Sequence, residues 1–340
     1  MSWTVAIGID THRDRHSACA LDRLGRPLGE LELTADPSGY ELLWRWACAL
    51  GAPAFALEGS GSYGAGLARH LVERGAVIYE CERPSRRDRR RGKSDQLDAA
   101  AAARRLLAGQ GLAQLRGFGQ REQLRVLLLE RRSARRAQAA ALNQLHALVI
   151  GAPAPLRGRL ERLRGLPLAK RASALRSAEP SVPVLRRLAR RALALAAEAE
   201  LVDAELAAIV RRLAPALLAE CGVGPVCAAQ LLVSSGEPTR MRSEAAFAAL
   251  AGTSPVDASS GRQQRHRLNR GGDRQLNSAP HAIALNRKRG HGATRAYYER
   301  LLTSGKTKRE ALRCVKRILA RHFYRQLRAL EPAALTEAGP

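Results

Sequence analysis

The stretch "WTVAIGID" (residues 3–10) decides how the first third of the chain is read. It is a β-rich apolar run that ends on an acid, Asp10. Outward from it, "HSACALD" (16–22) and "PLGELEL" (27–33) read as two further strands joined by a turn at "RLGRP" (23–27). "PSGYELLWRWACAL" (37–50) reads as a helix, "AFALEG" (54–59) as a short buried strand, 63–74 as a helix and "AVIYECE" (76–82) as a strand. "RRGKSDQLDAAAAARRL" (90–106) opens a further helix. Three strands followed by alternating helix and strand predict an α/β domain with a mixed sheet.

The 340 residues, 46% of them hydrophobic, suffice for two or three domains with real cores. The formal net charge of +26 calls for a polyanionic partner, most simply nucleic acid. Only six of the basic residues are lysines, so a G+C-rich coding bias adds to the arginine count. No run of 18 uncharged apolar residues suggests a membrane span, and the N-terminal residues do not read as a signal peptide. The six scattered cysteines form no C-x-x-C and fit reduced, packed thiols. A cytoplasmic, nucleoid-associated bacterial protein is expected.

From about 119 to 215 the apolar residues recur at three- and four-residue spacing beside charged faces. "LRGLPLAKR" (163–171) and "SAEPSVPV" (177–184) interrupt them, so the helices are expected to fold back on each other. This part reads equally as a plain antiparallel bundle or as an oligomerising coiled coil that presents arginines to nucleic acid. A third unit has a Gly/Ser/Arg-rich middle and ends in a basic helix, "KTKREALRCVKRILARHFYRQL" (306–327).

Asp10 and Glu58 end strands, and Asp95 and Asp98 fall in the first turn of a helix. Strand-end carboxylates of an α/β domain meet at one sheet edge, and residues three apart on a helix share a face. Four such acids suit a hard cation, Mg²⁺, of the kind that clamps the oxygens of a phosphodiester. The structural alternative is that Asp95 caps the helix and Asp98 completes a capping box.

The motifs "AIGIDTHRDRHSACALD" (6–22), "FALEGSGSYGAGLARHLVERG" (55–75), "RRGKSDQLDAAAAARRL", "GVGPVCAAQLL" (222–232) and "AGTSPVDASSGRQQRHRLNRGGDRQLN" (251–277) occur in this order. Together they resemble the insertion-sequence-110 family of transposases, relatives of the Piv-type DNA invertases. The resemblance implies a RuvC-like, ribonuclease-H-type domain over 1–115 whose metal site falls on Asp10, Glu58, Asp95 and Asp98. It implies a helical, coiled-coil linker over 116–215 and a mostly α-helical domain over 216–330 that carries a nucleophilic serine, followed by a tail (331–340). The Ser-Gly motif falls on Ser260, with Ser259 adjacent. The implied activity is Mg²⁺-dependent DNA cleavage and strand exchange through a serine–DNA bond, as in transposition or site-specific inversion. A guide (bridge) RNA and a homo-oligomer, a dimer or tetramer, are implied as well. One departure is Pro280, where the family has a helix that proline would kink.

A serine hydroxyl needs activation, and no Ser/His/Asp spacing is legible. Arg262, Arg265, His266 and Arg267 follow the serine and suit phosphate positioning. "GKS" (92–94) and "GKT" (305–307) end like phosphate loops, but Arg87 and Arg300 stand where the loop needs glycine, so ATP binding is rejected. "CGVGPVCAAQLL" (221–232) reads either as half of a helix-hairpin-helix, with Gly222 and Gly224 beside a DNA phosphate, or as a packing corner. The run containing Arg86, Arg87, Arg89, Arg90, Arg91 and Lys93 reads as a phosphate-contacting loop or a solvated arm. His266, His281 and His291 lack zinc-ligand spacing. Two other functions stay open: a metal-only Holliday-junction-type nuclease that uses water, and a nucleic-acid-binding remnant without catalysis.

Overall fold

The structure, a computed structural model, describes residues 3–81, 94–115, 119–236, 241–258 and 266–330. The chain divides into two compact units, 1–118 and 119–340.

The first unit holds β1 (Val5–Thr11), β2 (Arg15–Asp22), β3 (Pro27–Thr34), α1 (Pro37–Leu50), β4 (Pro53–Glu58), α2 (Ala65–Glu73), β5 (Val77–Cys81), α3 (Asp95–Ala108) and β6 (Leu112–Gln114). The sheet order is β3-β2-β1-β4-β5-β6. β1, β4 and β5 run parallel, while β2, β3 and β6 pair antiparallel to their neighbours. The mixed sheet expected from the sequence is present, with β6 as an additional edge strand.

Side chains alternate across a strand, so β1 and β4 each present two different faces. Val5, Ile7, Ile9, Phe55 and Leu57 pack with Leu43, Leu67 and Leu71 of α1 and α2. The opposite face is built from small residues: Ala6, Ala54 and Ala56 pack with Ala102 and Leu106 of α3. Gly8 belongs to this second face. A Cβ there would lie 2.0 Å from the Ala99 carbonyl oxygen and 2.2 Å from the Ala103 nitrogen. The alanine run 99–103 and the small strand residues thus let α3 lie directly on the sheet.

The second unit consists of α4 (Gln120–Ile150), α5 (Ala154–Leu160), α6 (Gly165–Ser173), α7 (Val182–Leu213), α8 (Pro215–Ala219), α9 (Pro225–Ser235), α10 (Glu244–Leu250), the two-residue strands β7 (Val256–Asp257) and β8 (His266–Arg267), then α11 (Arg274–Gly290), α12 (Gly292–Thr303) and α13 (Lys308–Arg328). It is mostly helical, as expected. α4 and α7 lie antiparallel: Leu124 and Leu128 join a core with Leu206 and Val210, while Leu145 and Val149 meet Leu185 and Ala189. Arg131 pairs with Asp203, and Arg212 donates to Gln120 at 3.0 Å. The interruption between these helices contains two short helices, α5 and α6. α9, α11 and α13 bury Leu232, Ile283 and Phe323 in one core. α11 runs unbroken through Pro280, which is buried. No helix among the described residues is long and apolar enough to cross a membrane.

Candidate metal centre

The face of β1 that carries Ala6 and Gly8 also carries, by strand alternation, Asp10 and then His12 just past the strand end. Asp10 is 8% exposed. β4 follows the same alternation: Ile9 pairs with Leu57, so Asp10 and Glu58 are the next residues of adjacent parallel strands. Glu58 is half-buried, and its carbonyl accepts a hydrogen bond from Thr11 Oγ1 at 2.7 Å. Gly59 then turns the chain at φ +78°, a conformation that side-chain-bearing residues rarely adopt.

α3 enters this corner from its N-terminus. Ser94 is the cap: its hydroxyl accepts from the Leu97 N–H at 3.2 Å. This corrects the capping alternative, which gave the cap to Asp95. Asp95 is instead the first helical residue and Asp98 the fourth. Both acids lie in the first turn, where the helix dipole favours negative charge.

His12 Nε2 lies 3.2 Å from Asp10 Oδ2 and 3.2 Å from Asp95 Oδ1. One ligand atom from each of Asp10, His12 and Asp95 falls within 4.8 Å of the others. Burial raises the Asp10 carboxyl above its ordinary range, and the charges of Asp95 and Asp98 push it further up, against the opposing pull of His12. Asp98 therefore acts on Asp10 electrostatically, from outside the three-residue cluster. A cation would relieve the repulsion, and the donor set, carboxylate oxygens with one imidazole, suits a divalent metal. His12 was not singled out in the sequence. Its signal was the spacing Asp10-x-His12, which puts both side chains on one face of a strand.

The basic run, with Arg86, Arg87, Arg89, Arg90, Arg91 and Lys93, lies outside the described residues, as do Ser259, Ser260, Arg262 and Arg265. The strands that flank the serine segment are described: β7 and β8 pair antiparallel, Val256 with Arg267 and Asp257 with His266. Arg267 is exposed. Gly222 and Gly224 occupy the turn between α8 and α9. Gly222 packs on Asn286 and Arg287 of α11, whereas the surroundings of Gly224 are open. Glu220, before this turn, accepts hydrogen bonds from Arg287, His322 and Gln326. In "GKT", Thr307 caps α13 in a capping box with Glu310.

Residues 7–152 match a family model described as a transposase, of the DEDD type of IS110. Residues 214–299 match the model of the transposase IS116/IS110/IS902 family. An insertion element IS110 protein of Streptomyces coelicolor, of 43.6 kDa and uncharacterized, is 39% identical over 101 residues, 29% of this chain. That match spans 25% of the relative's own length.

Proposed function

The chain belongs to the IS116/IS110/IS902 family of transposases, and from that premise we propose that it cuts and rejoins DNA as the recombinase of an insertion sequence. The observation that carries this reading is the convergence of Asp10, His12 and Asp95 on one corner of the sheet. Asp10, Glu58, Asp95 and Asp98 would hold Mg²⁺. The ion, when bound, polarises the scissile phosphate and stabilises the charge that develops on it. The sheet order and the helix on the small-residue face support a RuvC-like reading of 1–115. Residues 116–215 are the linker, in which a coiled coil is read, and 216–330 the serine-bearing part, in which the turn at Gly222 and Gly224 is read as half of a helix-hairpin-helix.

Ser260 is the proposed nucleophile. Its Oγ forms a bond to phosphorus as the bond from phosphorus to the 3′ oxygen breaks, which leaves a 5′-phosphoserine link. The hydroxyl proton passes, in net terms, to the departing 3′ oxygen. Reversal by another strand's 3′ hydroxyl completes the exchange without a nucleotide cofactor. Arg262, Arg265 and Arg267 would orient the phosphate, and the basic run before Ser94 would follow the backbone. A guide RNA and a homo-oligomer complete the proposed assembly.

The test is a denaturing gel of purified protein incubated with Mg²⁺, RNA transcribed from the element and element-end DNA. A covalent protein–DNA adduct is expected, and Ser260→Ala should abolish it while nucleic-acid binding persists. Normal cleavage by that variant would instead favour a nuclease that uses water.

A further inference from the structure

A cavity of about 470 Å³ opens in the second unit between β8, the segment before α10's successor strand β7, and one face of α13. Its size falls within the roughly 300–1,000 Å³ of small-ligand sites. Six cations line it: Arg267, Lys306, Arg313, Lys316, Arg317 and Arg321. The acid on the wall is Glu310, whose carboxylate is already engaged by Thr307 and lies 3.8 Å from Arg313. Arg313, Arg317 and Arg321 are four residues apart, so they form one row on the helix.

Two features of Arg317, which lines the cavity, favour an anion beside it. The Nη1 of Arg317 is buried without a hydrogen-bond partner among the described residues. Burial and then the neighbouring Arg321 charge pull the Arg317 guanidinium below its ordinary range, which an anion would reverse. Lys316, by contrast, spends its ammonium on Asn277 Oδ1 at 2.7 Å and so serves the wall. Pro255, Leu268, Tyr297 and Ile318 give part of the remaining lining an apolar surface, beside the polar Thr253, Ser254, His266 and Asn269. Leu268 and Ile318, each 47% exposed, leave this apolar surface open to solvent.

Cations on one wall and apolar or aromatic surface on another match the two halves of a nucleotide. We propose that this cavity receives one unpaired nucleotide of a nucleic-acid strand, its phosphate on Arg317 and Arg321 and its base against Leu268, Tyr297 and Ile318. A duplex keeps its bases stacked inside and cannot fill such a site; an unpaired or extruded base can. The inference rests on the nucleic-acid reading above and adds a subsite to it. The strand is DNA or RNA, because both carry the phosphate and the base face.

The experiment uses the full-length protein and fluorescence anisotropy with a labelled 12-nucleotide DNA strand, the same sequence as RNA, and the DNA duplex. Arg317→Ala and Ile318→Asp should each weaken at least one of the single strands about tenfold, comparable to one base stack or one phosphate contact. The affected strand, DNA or RNA, names the natural source. Duplex affinity should fall less than threefold. Arg309→Ala, which removes the same charge from an exposed position of α13 outside the cavity, should change all three probes less than threefold. A 2-aminopurine in the bound strand should show altered stacking with the native protein and not with Ile318→Asp. Equal losses for Arg317→Ala and Arg309→Ala, or losses equal on strand and duplex, would overturn the subsite and leave general nucleic-acid binding intact. Failure of the native protein to bind any of the three probes would overturn both readings.

Discussion

Gly8 lies so close beneath Ala99 that a Cβ would come within 2.0 Å of the Ala99 carbonyl oxygen. The absence of one methyl group therefore sets the distance between β1 and α3, and with it the distance between Asp10 and Asp95. Gly8→Ala should push α3 off the sheet. Overpacking of this kind costs about 1–3 kcal/mol. Urea denaturation should show that loss, and metal affinity should fall with it. Unchanged stability would mean that α3 is not held where the structure has it.

Ser94 and Asp95 adjoin but have separate duties. Ser94→Ala removes the cap of α3 and should cost about 1 kcal/mol. Asp95→Asn leaves that cap in place and should change stability by less than about 0.5 kcal/mol, while it weakens divalent-cation binding at least tenfold. Denaturation curves for both variants, paired with isothermal titration, separate the two duties. Equal destabilisation by the two would return Asp95 to a purely structural role.

Burial and the Asp95 and Asp98 charges disfavour an ionised Asp10, and His12 offsets them only in part. The Asp10 carboxyl is raised by burial and by Asp95 and Asp98, so a neutral amide should sit there more easily. In chelator at neutral pH, Asp10→Asn is expected to unfold at the same or higher urea concentration than the native chain. A large loss of stability would show the carboxylate to be a packing element.

Glu220 sets an acid-side limit on the second unit. Burial alone would raise its carboxyl, but hydrogen bonds from His322, Gln326 and Arg287 outweigh it and hold it below the ordinary value. A depressed folded pKa adds stability above the unfolded value, near 4.5, and loses it as pH falls through the lower folded value. Glu220→Gln should therefore be less stable than the native chain at pH 7, with the gap narrowing below pH about 4.5. Urea midpoints across that range measure it; a gap independent of pH would contradict the assignment.

Much of the fold was legible because β1 to β5 and α1 to α3 announce themselves by apolar periodicity and turn residues. β6 was not, since three residues carry no period. α5 and α6 were hidden by the Gly and Pro residues that surround them. The positions of Asp10, Glu58, Asp95 and Asp98 at element ends were legible, and the structure places each of them at such an end. The alternation of large and small residues in "VAIGID" and "AFALE" also held the answer to which face they share, because only the small-residue face admits an alanine-rich helix. His12 has no zinc-ligand spacing and shows only in the strand period, as Asp10-x-His12. The cap was not legible, because Ser94 and Asp95 are both good capping residues and only backbone geometry separates them.

The proposed cation at this corner is held through Asp10 and Asp95. Its most direct test is titration of Mn²⁺, as a spectroscopic stand-in for Mg²⁺, into the native chain, Asp10→Asn and the exposed control Asp14→Asn, with bound metal read by electron paramagnetic resonance. A saturable site is expected in the native chain and in Asp14→Asn and should disappear in Asp10→Asn. Undiminished binding by Asp10→Asn would contradict it.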